Sequence, residues 1–127
     1  CRFEHAERIL STRISLLRSI RRAEQVDQIG EFASPLYVQA TKAERTCLLK
    51  LSATARAAGK LQASVNAVGL AHKLADGHAN TDDVKEEFAH VLWDQGEHTS
   101  AISLLRSVNL TKNRRAIVFA QIGRAHV

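Results

Sequence analysis

Glu87 and His90 stand three residues apart, the interval that puts a carboxylate and an imidazole on one helical face in carboxylate-bridged metal bundles. Such a centre needs a second pair and further carboxylates from neighbouring helices, and only one copy is present. No metal site is expected, and His90 reads as a solvated or hydrogen-bonded surface histidine. His72, His78 and His98 fall in no ligand spacing and have no cysteine partners. Serine, histidine and aspartate all occur, but no nucleophile elbow accompanies them, so a catalytic triad cannot be argued. No catalytic, cofactor-binding or metal-binding residue is therefore nominated. Trp93, two residues beyond Val91, is expected to pack partly buried against neighbouring apolar residues.

The elements that would position these side chains are helices. Phe3, Ala6, Ile9, Leu10, Ile14, Leu17 and Ile20 recur at three- and four-residue steps, predicting a first helix from Phe3 to about Arg22, extending through Val26 towards Ile29, with Gly30 as its stop. Ser34-Pro35 joins an N-cap serine to a proline at the first helical position. Leu36, Ala40, Ala43, Cys47, Leu51, Ala55 and Ala58 then keep the helical period up to Gly59. A third helix from Leu61 to Leu74 carries Leu61, Val65, Val68, Ala71 and Leu74 on one face, and Asp76 to Asp82 reads as a loop. Thr81 or Asn80 caps a fourth helix with Asp82 and Asp83 in its first turn, Val84, Phe88, Val91 and Leu92 as its core face, and Gly96 as its stop. A fifth runs from Thr99 to Val108 through Ala101, Ile102 and Leu105, and a sixth from Leu110 to Gln121.

Gly59 and Gly96 lie 37 residues apart, and each ends one apolar helical pattern just before another begins. That spacing fits helical-hairpin repeats. Glycine takes the positive φ of a tight turn, and a small residue shortly afterwards (Ala63 or Ser64, and Ala101) lets the second helix approach the first. The phrase from Gln95 to Leu105 resembles the turn of a tetratricopeptide repeat, although the full consensus is missing. The predicted fold class is all-α, with antiparallel helical hairpins stacked as a TPR- or HEAT-like α-solenoid segment. A solenoid is ordinarily a scaffold or binding surface.

Composition narrows the class further. With 6 Gly, 1 Pro and 5% aromatic residues in 127, strand-rich folds are disfavoured. The net charge of +5 would suit an acidic partner if the basic residues clustered. Instead the N-terminal stretch and Lys112, Arg114 and Arg115 are basic, while acidic residues fill Asp82 to Glu97, so direct nucleic-acid contact is not expected. Cys1 and Cys47 have neither zinc nor disulfide-framework spacing, implying a reducing compartment, and Cys47 reads as a small buried hydrophobe. No apolar run approaches the about 18 residues of a membrane span, so no membrane partner is expected. The chain starts at Cys1 and contains no Met, which sets the expectation of an excerpt. Ile122 to Val127 (IGRAHV) is what the codons ATC GGA AGA GCA CAC GTC encode, a string resembling a common sequencing-library adapter. That tail is read as a non-biological scar.

Four phrases carry a family resemblance: Glu7 to Ser19 (ERILSTRISLLRS), Ala33-Ser34-Pro35-Leu36, Thr46 to Gly59 (TCLLKLSATARAAG) and Glu86 to Leu105 (EEFAHVLWDQGEHTSAISLL). In this order they resemble the FAT region of the ATM group of phosphatidylinositol 3-kinase-related protein kinases, in a fungal member. The resemblance covers most of residues 1–121, which would then form part of a FAT-type helical-repeat domain. It implies a helical scaffold wrapped around a kinase domain, supporting it and passing on dimerisation and activator signals. The parent enzyme would be a nuclear serine/threonine kinase of the DNA damage response, DNA repair and telomere maintenance. Its ATP and magnesium would bind elsewhere in the parent. The implied partners are the kinase domain, neighbouring repeats of the same chain and a second copy of the parent.

These kinases carry a catalytic loop of the form Asp-x-His-x-x-Asn. Asp76-Gly77-His78-Ala79-Asn80 looks similar but has one residue too few between histidine and asparagine, and no Asp-Phe-Gly motif follows. The segment is expected to be an interhelical loop, with no catalytic residue. A free-standing tetratricopeptide-like adaptor, binding a peptide in its groove, is the alternative function. A small helical nucleic-acid-binding protein rests on net charge alone and would require salt-dependent binding to duplex DNA.

Overall fold

A computed structural model describes residues 2–26, 34–75 and 81–110. Among them the chain is all-α: α1 (Arg2–Val26), α2 (Pro35–Ala57), α3 (Leu61–Leu74), α4 (Asp82–Asp94) and α5 (residues 98–110). The expected stop at Gly30, the Asp76 to Asn80 segment, the sixth helix beyond residue 110 and the tail at 122–127 lie outside the described residues.

The helix starts follow local chemistry. Ser34 caps α2 by accepting the Tyr37 amide at 3.0 Å, and Pro35 begins the helix. The same hydroxyl donates to the Glu24 carboxylate at 2.9 Å, tying the end of α1 to the start of α2. At α4 the expected threonine cap is not made: Thr81 occupies the N-cap position without a side-chain bond. Asp83 instead accepts the Val84 amide at 2.8 Å from within the first turn, where a carboxylate also meets the positive helix end.

The two repeated turns are the same structure. Gly59 (φ +75°) and Gly96 (φ +88°) both occupy the left-handed region. The Lys60 and Glu97 amides reach back to the Ala55 and Leu92 carbonyls at 2.8 and 2.9 Å. The Gly59 and Gly96 amides reach the Arg56 and Trp93 carbonyls at 3.1 and 3.0 Å. Both pairs are Schellman caps. No atom lies within 4 Å of a Cβ built on either glycine, so backbone conformation and not space selects the residue. Shifting by the same 37 residues carries Ser64 onto Ala101, and both are fully buried. They are the small residues that allow each hairpin to close.

In the packing order, α1 lies on α2, α2 on α3, α3 on α4, and α2 also on α4. The α2–α3 and α4–α5 hairpins are therefore successive repeats, with α2 at the centre. The core joins Ile14 of α1, Leu48 of α2, Ala71 and Ala75 at the end of α3, and Val84 of α4. Cys47, Leu49, Leu51 and Leu74 pack against it half-buried. Ala40, Ala55, Ala67, Ala89 and Ala101 are also buried. Alanine at a crossing lets ridges of neighbouring helices approach closely.

Several expected core positions are corrected. Ile9 and Ile20 of α1, Leu36 of α2, Phe88 of α4 and Ile102 on the fifth helix are exposed. Ala58 is exposed beside its glycine. The buried face of α2 runs instead through Ala40, Thr41, Glu44, Arg45, Leu48, Ser52 and Ala55. It has the expected period but is rotated onto polar residues. Thr41 is accommodated because its hydroxyl donates to the Tyr37 carbonyl one turn earlier, at 2.8 Å.

Candidate functional site

The polar chemistry of this molecule is concentrated in the interfaces that α2 makes on either side. On the α1 side, Glu44 is 1% exposed. Its carboxylate accepts Nε of Arg21 at 3.0 Å and lies 3.5 Å from Nε of Arg18. Arg18 and Arg21 are three residues apart, so they stand on one face of α1 and converge on the same acid. Burying a carboxylate is costly unless it is paired and hydrogen-bonded, and two guanidinium groups meet that requirement.

On the other side, Ser52 and Arg56 lie four residues apart on α2 and meet Glu87 of α4. Arg56 binds the carboxylate through two nitrogens, Nη2 to Oε1 at 3.0 Å and Nε to Oε2 at 3.2 Å. Ser52 donates to Oε2 at 2.8 Å, and its oxygen lies 2.9 Å from the Ser64 hydroxyl on α3. A serine has one hydroxyl proton, so with that of Ser52 committed to the carboxylate, Ser64 donates to Ser52. Three helices thus meet at one acid. The Arg56 guanidinium is held above its ordinary pKa, chiefly by its hydrogen bond to Glu87 and further by the charges of Glu87 and Asp94, against the lowering effect of burial.

Arg45 completes the series with Asp83 of α4, at 3.6 Å. That separation is ion-pair range without a hydrogen bond, and the buried Arg45 Nε has no hydrogen-bond partner among the described residues. A common direction runs through all these contacts: arginines of one helix enter carboxylates of a later one, from α1 to α2 and from α2 to α4.

This network is structural in kind. Glu87 is oriented towards α2 and committed to Arg56 and Ser52, while His90 is exposed. The two do not act as a pair. His72 lies beside Phe88, ring centroids 6.3 Å apart. Trp93 is 48% exposed and not packed as expected; it stacks on His98 across the Gly96 turn with centroids 4.1 Å apart. The 37-residue spacing of the two turns places Trp93 at the position that Arg56 has in the first hairpin. Arg56 reaches the following hairpin, whereas no described helix covers the equivalent side of α4. Among the described residues no group of three His, Cys, Asp or Glu could hold a metal ion. No described helix is long and apolar enough to cross a membrane. His78 lies outside the described residues.

Sequence reasoning placed Ser64 at the close approach of two helices but missed Glu44, Arg45 and Ser52 as buried, and assigned Glu87 no structural role. The available signal was their period. Positions 41, 44, 45, 48, 52 and 55 follow helical spacing as well as the apolar set does.

No family model and no solved structure matches the chain. Among curated proteins, the serine/threonine-protein kinases TEL1 of Cryptococcus neoformans var. neoformans serotype D, strains B-3501A and JEC21, are each 40% identical to it over 113 residues. The alignment covers 89% of this chain and 4% of either relative. The chain is thus similar, along nearly its whole length, to one short stretch of an ATM-family kinase.

Proposed function

We propose that this chain is a non-catalytic helical scaffold segment of an ATM-like serine/threonine protein kinase, lying in its FAT region and supporting and regulating the kinase domain. The similarity to TEL1 carries the proposal, and the arrangement of the side chains agrees with it. Glu44 and Glu87 are spent on joining helices. Such an interlocked segment suits transmission of position more than chemistry. In this reading the parent enzyme works in the nucleus, in the DNA damage response, DNA repair and telomere maintenance. Its kinase domain, adjacent helical repeats and a second copy of the parent are the partners. ATP and magnesium belong to the kinase domain.

The decisive experiment is recovery of the full reading frame by sequencing the transcript through and beyond the codons for residues 111–127. Continuation into a lipid-kinase-like catalytic domain is expected; a stop codon soon after Gln121 would overturn the proposal. That second outcome favours a free-standing tetratricopeptide-like adaptor, for which the repeated Schellman-capped hairpins speak.

A further inference from the structure

Helix α1 packs on α2 through one side, and its opposite side is exposed. Arg2, His5, Ile9, Arg13, Leu16 and Ile20 follow one another at three- and four-residue steps and form one exposed stripe. Leu16 is 62% exposed, the most open large hydrophobic residue described. From Arg2 to Ile20 the stripe runs about 27 Å. It holds three aliphatic side chains, two guanidinium groups and an imidazole, with no carboxylate.

Arg18 and Arg21, on the opposite side of α1, are neutralised by Glu44, whereas Arg2 and Arg13 have no carboxylate partner among the described residues. Glu4 and Glu7 lie on other faces of α1, and Glu24, one turn beyond Ile20 on the same line, is engaged by Ser34. Each helix of this fold that presents inward arginines meets a later helix supplying aspartate or glutamate together with apolar residues. Glu44 beside Leu48 and Glu87 beside Val91 are the two instances. The outer stripe of α1 has the arginine half of that pattern and its apolar companions.

We infer that the Arg2–Ile20 stripe is covered by an acidic amphipathic helix of the same polypeptide, lying along α1 with aspartate or glutamate side chains paired to Arg2 and Arg13 and aliphatic side chains set between Ile9, Leu16 and Ile20. The inference rests on the scaffold proposal, because it requires polypeptide outside the 127 residues. It adds the chemistry of the neighbour.

The test places a photocrosslinking residue at Leu16 of the full-length polypeptide and identifies the captured peptide by mass spectrometry. Capture of a same-chain helix with at least two carboxylates at three- or four-residue spacing is the expected result. Arg2→Glu with Arg13→Glu should lower that yield by about threefold to tenfold, the scale of two ion pairs at a partly exposed interface. Arg22→Glu, off the stripe, should leave it unchanged. Capture of a same-chain helix without carboxylates, of another protein or of a second copy overturns the inference, as does absence of a crosslink. A non-acidic same-chain helix would leave the scaffold proposal standing; a frame lacking a kinase domain would remove that proposal.

Discussion

At the residue scale the stability of this chain depends on how its buried acids are partnered. Arg56→Ala leaves Glu87 with Ser52 as its remaining described donor and should cost about 3 kcal/mol, the lower end of the range for breaking a buried pair, because Arg56 is itself partly exposed. Ser52→Ala should be milder, at about 1 kcal/mol, with a further cost if Ser64 is left without its acceptor. A double-mutant cycle on urea midpoints would report the coupling, and additivity would show that the two side chains act independently. The pH dependence follows from the raised Arg56 pKa. A cation raised on folding contributes fully below its unfolded pKa and loses that contribution only as pH rises through the folded value. For arginine this window lies above about pH 12. The stability difference between the wild type and Arg56→Gln should therefore show no slope from Arg56 titration between about pH 6 and 10.

At the element scale the two Schellman turns and the core crossing make separate predictions. Gly59→Ala and Gly96→Ala meet no steric obstacle but force a side-chain-bearing residue to positive φ, at about 1–2 kcal/mol each. Asparagine should recover part of that loss. Similar penalties at both sites, measured by chemical denaturation, would support the equivalence of the hairpins. Leu48 is the largest fully buried side chain among the described residues and belongs to the common core, so Leu48→Ala should cost about 2–5 kcal/mol. The first-turn carboxylate of Asp83 and the serine-proline start of α2 show how much element structure was legible beforehand. Caps and stops depend on a few adjacent residues, whose chemistry can be read directly. The exact cap at α4 was not legible, because Asp83 and Thr81 both offer suitable oxygens and the local backbone chose the former.

At the scale of the whole molecule, apolar and aromatic side chains remain open at both ends of the described repeat series. Ile9, Leu16 and Ile20 mark α1, while Trp93 and Ile102 mark the α4–α5 hairpin. Solenoid repeats gain stability from both neighbours. The 127-residue chain alone should consequently be poorly stable or should self-associate, with a melting temperature that depends on concentration. Sedimentation together with a thermal melt checks this, and a sharply cooperative monomeric transition would contradict it. Trp93 should show red-shifted emission in the monomer, moving to the blue if association covers it.

Helical class, the hairpin period and the turns at Gly59 and Gly96 were determined by the sequence itself, because helix periodicity and left-handed glycine caps arise from neighbours within one or two turns. So was the resemblance to an ATM-type kinase, carried by phrases in order. The tertiary structure decided which side of each helix faces inward. Glu44 looks like a surface residue until Arg18 and Arg21 arrive from α1, and Glu87 until Ser52 and Arg56 arrive from α2. Polar burial is favourable only with partners distant in sequence, and hydrophobic periodicity along one helix carries no record of them.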